Sequence, residues 1–244
     1  MRKDGLLLCA KYAVSPNFFG YCGPNSNKSI IDHLVEAAVD NELETILSKF
    51  ETLYPYLNLI AKKNKIIDPF DFKVVEAYWI GNSFLKPVGM VEYESFTKEK
   101  LSLDKKIDSK TLGLLKFKIK NLHFYPHHNF HVFNIFRRTG FDFNWQTLST
   151  MDNCRINWGK LISTKDLTIE TRTLIKAGNK LALSQSTVKM IKIDYKSKIF
   201  IKNLKTGDRI SFHWGFLCDK LEERQVKNLQ YFTQKAIDFY NQSL

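Results

Sequence analysis

The segment Leu167-Thr-Ile-Glu-Thr-Arg-Thr-Leu174 alternates apolar and polar side chains. Alternation with a period of two places every second side chain on one face of an extended chain, so the segment predicts a half-buried β-strand. The segment Val188–Ile193 shows a similar alternation of apolar and polar side chains. Turn formers such as Ala177-Gly178-Asn179 separate these segments. About five or six short strands between regular turns are typical of a small closed β-barrel.

Helical spacing replaces this alternation on the N-terminal side. Apolar residues such as Ile30, Leu34 and Ala38 recur every three to four residues, which is typical of one buried helix face. Residues 1–28 are instead dense in turn formers, so an irregular chain is expected there. A last amphipathic helix is predicted over residues 222–241.

We therefore predict an α+β protein in two domains. An all-α domain over residues 1–148 precedes an OB-like β-barrel with a C-terminal helix over residues 149–244. The boundary falls between about Phe143 and Asn153, where the periodicity changes. A chain of 244 residues is long enough for either one large core or two smaller ones.

The composition indicates a globular protein. Hydrophobic residues make up 44% and charged residues 25% of the chain, as in ordinary globular proteins. No apolar run approaches the roughly 18 residues of a membrane span, and the N-terminus lacks the pattern of a signal peptide. We expect a cytoplasmic protein without a membrane partner, whose four scattered cysteines are reduced thiols.

The net charge of +12 is unevenly distributed. Residues 154–244 carry 17 basic and 8 acidic side chains, a net charge of +9. A basic region of this kind fits nucleic acid or an acidic protein. Its lysines are evenly spaced without an aromatic RNA-binding motif, so an RNA-binding module is the less favoured alternative.

Two segments of the C-terminal region carry a family resemblance. They are Cys154-Arg-Ile-Asn-Trp-Gly159-Lys160-Leu161 and Lys205-Thr-Gly207-Asp208-Arg-Ile-Ser-Phe-His213-Trp-Gly215-Phe216. In order and spacing they resemble the HypC/HupF type of [NiFe]-hydrogenase maturation chaperone. The resemblance covers about 85 residues of the C-terminal region.

The resemblance implies a non-enzymatic accessory protein that carries an iron centre. Its partners would be a HypD-like scaffold and the hydrogenase large-subunit precursor. Cys154 would be the thiolate that touches iron or a partner cysteine, and His213 the second polar group of that site. The sequence departs from the family in two places: 153 residues precede Cys154, and Trp158 stands where the family has proline.

The N-terminal region has a second set of candidate residues. Cys22 lies in a glycine-rich turn before a helix, where a helix dipole would lower the pKa of its thiol. His127, His128 and His131 lie close together in an aromatic segment. Cys22 and these histidines predict a metal site or, alternatively, a Cys–His enzyme with Cys22 as the nucleophile. The histidines also suit an aromatic core.

The whole chain also resembles an uncharacterised family with YCGP, DPFD…VVEAYWIGN and PHHxFHVF segments, which brings no established activity. The leading hypothesis is a hydrogenase-maturation-like accessory protein or metallocentre chaperone, with iron as the implied metal. The alternative is a Cys/His-dependent enzyme or metal-binding protein.

Overall fold

The N-terminal part of the chain is helical in the computed structural model, which describes residues 2–135 and 147–242. The later part contains strands and a final helix, so the predicted mixture of N-terminal helices, strands and a C-terminal helix is confirmed. A 3-10 turn, Ser83–Leu85, follows α5, and a π-helical turn, His131–Ile135, continues α9. The helices are α1 (Arg2–Phe18), α2 (Asn27–Glu36), α3 (Asn41–Ser48), α4 (Leu53–Lys63), α5 (Phe72–Trp79), α6 (Met90–Glu99), α7 (Leu103–Lys106), α8 (Ser109–Asn121), α9 (His128–Phe130), α10 (Leu148–Cys154) and α11 (Glu223–Asn241).

Helix α1 corrects the expectation of an irregular N-terminus. It runs through Pro16 to Phe18, although proline cannot donate the helical hydrogen bond. Because Pro16 lies in the last turn, only the carbonyl of Tyr12, four residues earlier, loses its helical N–H donor. Tyr12 and Val14 are completely buried, so packing rather than local propensity holds this helix.

The strands form an open antiparallel sheet and a separate hairpin. The sheet has the order β5-β2-β1-β6-β7, and β3 pairs with β4 alone. The predicted closed barrel is not found in the described part of the chain: one isolated bridge, Lys192 to Phe216, joins the segment after β5 to β7. The strands are β1 (Asn157–Ser163), β2 (Thr168–Thr171), β3 (Leu174–Ala177), β4 (Lys180–Leu183), β5 (Thr187–Met190), β6 (Arg209–His213) and β7 (Phe216–Lys220).

The β3–β4 hairpin explains why the sheet stays open. Leu174 of β3 and Leu181 of β4 are buried in the large hydrophobic core that also contains the N-terminal helices. The Asn241 side chain at the end of α11 also exchanges hydrogen bonds with the backbone of Leu181. The hairpin therefore packs against helices, while residues of the main sheet form a second, smaller core with Ile191 and Ile201.

The hydrophobic core crosses the predicted domain boundary. A single cluster runs from Leu6 in α1 to Phe239 in α11 and includes Ile156 and Phe216 from the sheet region. The division at residues 148/149 stays a prediction, and Phe143, its earliest limit, lies outside the described residues.

A buried carboxylate also ties the two parts together. Glu76 of α5 is 3% exposed and accepts hydrogen bonds from Arg224 at 2.8 Å and from Gln225 at 3.1 Å. Both donors lie in the first turn of α11. The final helix is thus fixed against the N-terminal helices by charge as well as by apolar packing.

No helix in the described ranges is both long enough and apolar enough to cross a membrane. The cytoplasmic location stays a prediction.

Candidate metal centre

Three side chains of metal-ligand type meet in the interior. One ligand atom each of His128, Cys154 and His213 lies within 4.8 Å of the other two, and all three residues are buried. His128 begins α9, Cys154 ends α10 and His213 is the last residue of β6. The predicted pair, Cys154 and His213, is therefore brought together, and a histidine from the predicted N-terminal cluster joins it.

The His213 ring is held in one tautomer by the backbone of α1. Its Nδ1 lies 2.8 Å from the carbonyl oxygen of Tyr12, which can only accept, so Nδ1 carries the proton. Pro16 leaves this carbonyl without a helical donor. The Nε2 atom then presents a lone pair, and no hydrogen-bond partner for it exists in the described part of the chain.

The His128 ring is oriented in the same way. Its Nε2 donates to the carbonyl oxygen of Cys154 at 2.8 Å, which leaves Nδ1 as the acceptor of a 3.2 Å hydrogen bond from the Tyr78 hydroxyl. The rings of His128 and His213 are 5.3 Å apart and nearly perpendicular. Backbone carbonyls that fix the far nitrogen are the usual outer partners of metal-binding histidines.

A small apolar cavity of about 60 Å³ contains this cluster. Two of its half-buried lining residues, Tyr21 and Trp214, have ring centroids 4.3 Å apart. Trp214 has a φ of 52° in the two-residue turn between β6 and β7, a conformation that a bulky residue rarely adopts. The lining residues are Ala13, Pro16, Tyr21, Cys22, Phe50, Thr52, Leu53, Tyr78, Trp79, His128, His131, Cys154, His213 and Trp214.

The cluster is electrically neutral at pH 7. Burial lowers the pKa of His213 to about 4, against the opposing effect of the Tyr12 and Cys154 carbonyls. Burial also holds the pKa of His128 well below its usual value, and the neighbouring His213 adds to this. Burial raises the pKa of the Cys154 thiol to about 12. The cavity therefore offers a thiol, the free Nε2 lone pair of His213, and the Nδ1 lone pair of His128, which accepts a hydrogen bond from the Tyr78 hydroxyl.

A family model described as a family of unknown function, DUF6390, matches residues 1–244. The chain belongs to DUF6390. No curated protein and no solved structure matches it. The expected membership of an uncharacterised family is confirmed, while the resemblance to the HypC/HupF type stays a prediction.

In this DUF6390 chain, Cys22 lines the same cavity. It lies in the turn between α1 and α2, where the Asn17 amide donates to its carbonyl at 2.8 Å. The predicted lowering of its pKa is wrong. The residue as a whole is half-buried, yet its thiol is packed deeply enough that burial raises the pKa to about 12, and Glu51 acts in the same direction.

The other two predicted histidines have different surroundings. His131 lines the cavity, and its Nδ1 lies 3.2 Å from the Tyr56 hydroxyl. His127 caps α9 by accepting from the backbone N–H of Asn129 and stacks on Phe232. The structure therefore separates two of the predicted histidines: His131 lines the cavity, whereas His127 packs elsewhere in the core.

A larger cleft of about 820 Å³ lies between β1, β2 and α11. Its lining is mostly polar, with charged residues such as Arg172 and Glu223, and none of the predicted site residues contributes to it. The small cavity is the better candidate because a thiol, Cys154, and the unpaired Nε2 of His213 both lie in its lining. Its positioning residues, Pro16 and Trp214, were missed because only the fold brings them to the cluster.

Proposed function

We propose that this protein binds a transition-metal ion in the cavity, with Cys154, His128 and His213 as its protein ligands. The observation that carries the proposal is the buried Nε2 of His213, which lacks a hydrogen-bond partner beside a thiol and a second oriented imidazole. Leaving a buried polar atom unpaired costs about 1–3 kcal/mol. A metal ion would supply the missing partner.

The ligand chemistry suits zinc, iron or copper. Thiolate and imidazole are soft or borderline ligands, in contrast to the oxygen ligands that magnesium and calcium prefer. Ligand atoms around a tetrahedral ion lie roughly 3.3–3.8 Å apart, so a cluster within 4.8 Å needs a small contraction. The Tyr78 hydroxyl would also release His128 Nδ1. Binding would release the Cys154 proton, because a coordinated thiol is deprotonated.

The same electrostatics disfavour the alternative of a Cys–His enzyme. A nucleophilic cysteine needs a thiolate near neutral pH. Burial instead raises the pKa of both Cys22 and Cys154 to about 12, and the adjacent imidazoles are neutral. Without a cation in the cavity, neither thiol is activated.

The proposal is tested by titrating reduced, metal-free protein with Co²⁺. We expect one bound ion and the near-ultraviolet absorption of a thiolate–cobalt bond. Cys154→Ala should lose that band and bind at least about 100-fold more weakly. Cys9→Ala is the matched control, since Cys9 is equally buried but outside the cavity. Absence of binding, or equal binding by Cys154→Ala, would overturn the proposal.

A finer proposal follows from the HypC-type resemblance. The metal would be iron, carried as cargo between a HypD-like scaffold and the hydrogenase large-subunit precursor. It is supported by the position of Cys154 and His213, 59 residues apart in sequence, beside one cavity. Co-purification with such a scaffold that is lost in Cys154→Ala would support it, and co-purification unaffected by that change would contradict it.

A further inference from the structure

A basic groove lies directly outside the cavity. Its volume is about 470 Å³, and its walls are the turn Gly20–Pro24, the segment between α3 and α4, and residues next to α6 and α7. Three lysines line it, Lys49, Lys100 and Lys106, against one carboxylate, Glu51. No ion pair among the described residues uses any of the three lysines. The lining of the groove therefore has more positive than negative side chains.

The groove and the cavity share a wall. Tyr21, Cys22 and Thr52 line both of them, so a small movement of these half-buried residues would join the two spaces. Glycine at position 23 is required in this wall, because a Cβ there would lie 2.4 Å from the Phe50 ring. The groove therefore borders the cavity through Tyr21, Cys22 and Thr52, which separate the two spaces.

The charge of the groove reaches the cavity. Burial lowers the pKa of His131 to about 3, and Lys106 adds to this effect. His131 lines the cavity beside the cluster. The positive charge of Lys106 in the groove therefore acts on a residue that lines the cavity. Positively charged clefts concentrate anions and speed their entry.

The charge of the metal-bound cluster favours a negative ligand. A divalent ion bound by one thiolate and two neutral imidazoles retains a charge of about +1, which is costly to bury in apolar surroundings. A cavity of about 60 Å³ has room for only a few atoms besides the ion. An anion of that size at the fourth position would neutralise the centre.

We infer that the metal centre takes a small inorganic anion as its fourth ligand, and that the anion enters through the groove of Lys49, Lys100 and Lys106. The inference rests on the proposed metal site. Small anions are thus the ligand class of this site, and the role of the three lysines is to admit the anion.

The test uses full-length, Co²⁺-loaded protein titrated with azide. Azide should perturb the cobalt spectrum, with an association rate that falls as ionic strength rises. Combining Lys49→Gln, Lys100→Gln and Lys106→Gln should slow azide association about tenfold while Co²⁺ binding is retained. The matched control combines Lys165→Gln, Lys176→Gln and Lys180→Gln, which remove the same charge from exposed positions outside the groove.

The outcomes separate the two proposals. Failure to bind Co²⁺ would overturn the metal site and this inference with it. Cobalt binding without an azide response would overturn the inference alone. Equal slowing by the groove and control variants would show a general charge effect and would also overturn it.

Discussion

At the scale of single residues, burial keeps four histidines neutral. His127, His128, His131 and His213 are all buried, and burial lowers the pKa of each of them. Their lone pairs are therefore preserved at physiological pH. The lowered pKa values also make the fold sensitive to acid, because at low pH the histidines bind protons in the unfolded chain but not in the folded protein.

His131 provides a measurable case. Its pKa is about 3 in the folded protein and about 6.5 when unfolded, so the unfolded state binds the extra proton between these values. Stability is then fully present above pH 6.5 and falls as the pH decreases towards 3. Between pH 7 and pH 5 the free energy of unfolding should therefore fall in both proteins. We expect it to fall by about 2 kcal/mol less in His131→Phe than in the parent.

The measurement is the free energy of unfolding by urea at the two pH values. Comparing each protein with itself across pH removes the constant cost of the lost Tyr56 contact. An identical pH dependence in the parent and in His131→Phe would contradict this assignment.

At the scale of elements, the end of α1 has a role beyond packing. Pro16 ends the helical hydrogen bonding at the Tyr12 carbonyl, and His213 of β6 uses that carbonyl instead. One missing hydrogen bond within α1 thus fixes the tautomer of a histidine on β6, far away in sequence. The π-helical turn after α9 lies beside the same site, as such turns frequently do.

Replacing this proline tests the coupling. In Pro16→Ala the new backbone N–H can donate to Tyr12 and compete with His213 Nδ1. We expect metal affinity to fall about 10-fold to 100-fold, the usual effect of losing an outer hydrogen bond, with the helix content unchanged. Pro55→Ala, in the first turn of α4, is the control, and equal affinities of the two variants would contradict the proposed coupling.

At the scale of the whole molecule, the core joins the helices and the strands. The cluster from Leu6 to Phe239 is continuous, and Tyr12 of α1 is hydrogen-bonded to Ser211 of β6 at 2.7 Å. The cavity takes residues from both sides of the predicted boundary. The site exists only when both parts are folded against each other.

This arrangement predicts one cooperative unfolding transition. Far-ultraviolet circular dichroism, dominated by the helices, and fluorescence of Trp158 and Trp214, near the strands, should give coincident urea midpoints when Trp79 and Trp145 are replaced by Phe. Arg224→Ala should lower both midpoints together, because it leaves the Glu76 charge buried with fewer partners. Separate midpoints would instead support two independent domains at residues 148/149.

Much of the secondary structure could be predicted because it depends on local periodicity. The alternation from Leu167 and the amphipathic stripe of residues 222–241 correspond to β2 and to α11. Helix α1 was missed because turn formers near Pro16 outweighed its apolar residues, whereas burial decides in the fold. The closed barrel was wrong because β3 and β4 pack on helices instead of completing the sheet.

The sequence by itself predicted the helices that follow α1, the later strands and the final helix, and its family resemblance pointed to two members of the cluster, Cys154 and His213. Only the tertiary structure decided that His128 joins them, that Pro16 frees a carbonyl for His213, and that every group in the cavity is neutral. The physical reason is that periodicity and motifs are local properties. Proximity across about 26 to 201 residues and desolvation arise only when the whole core closes.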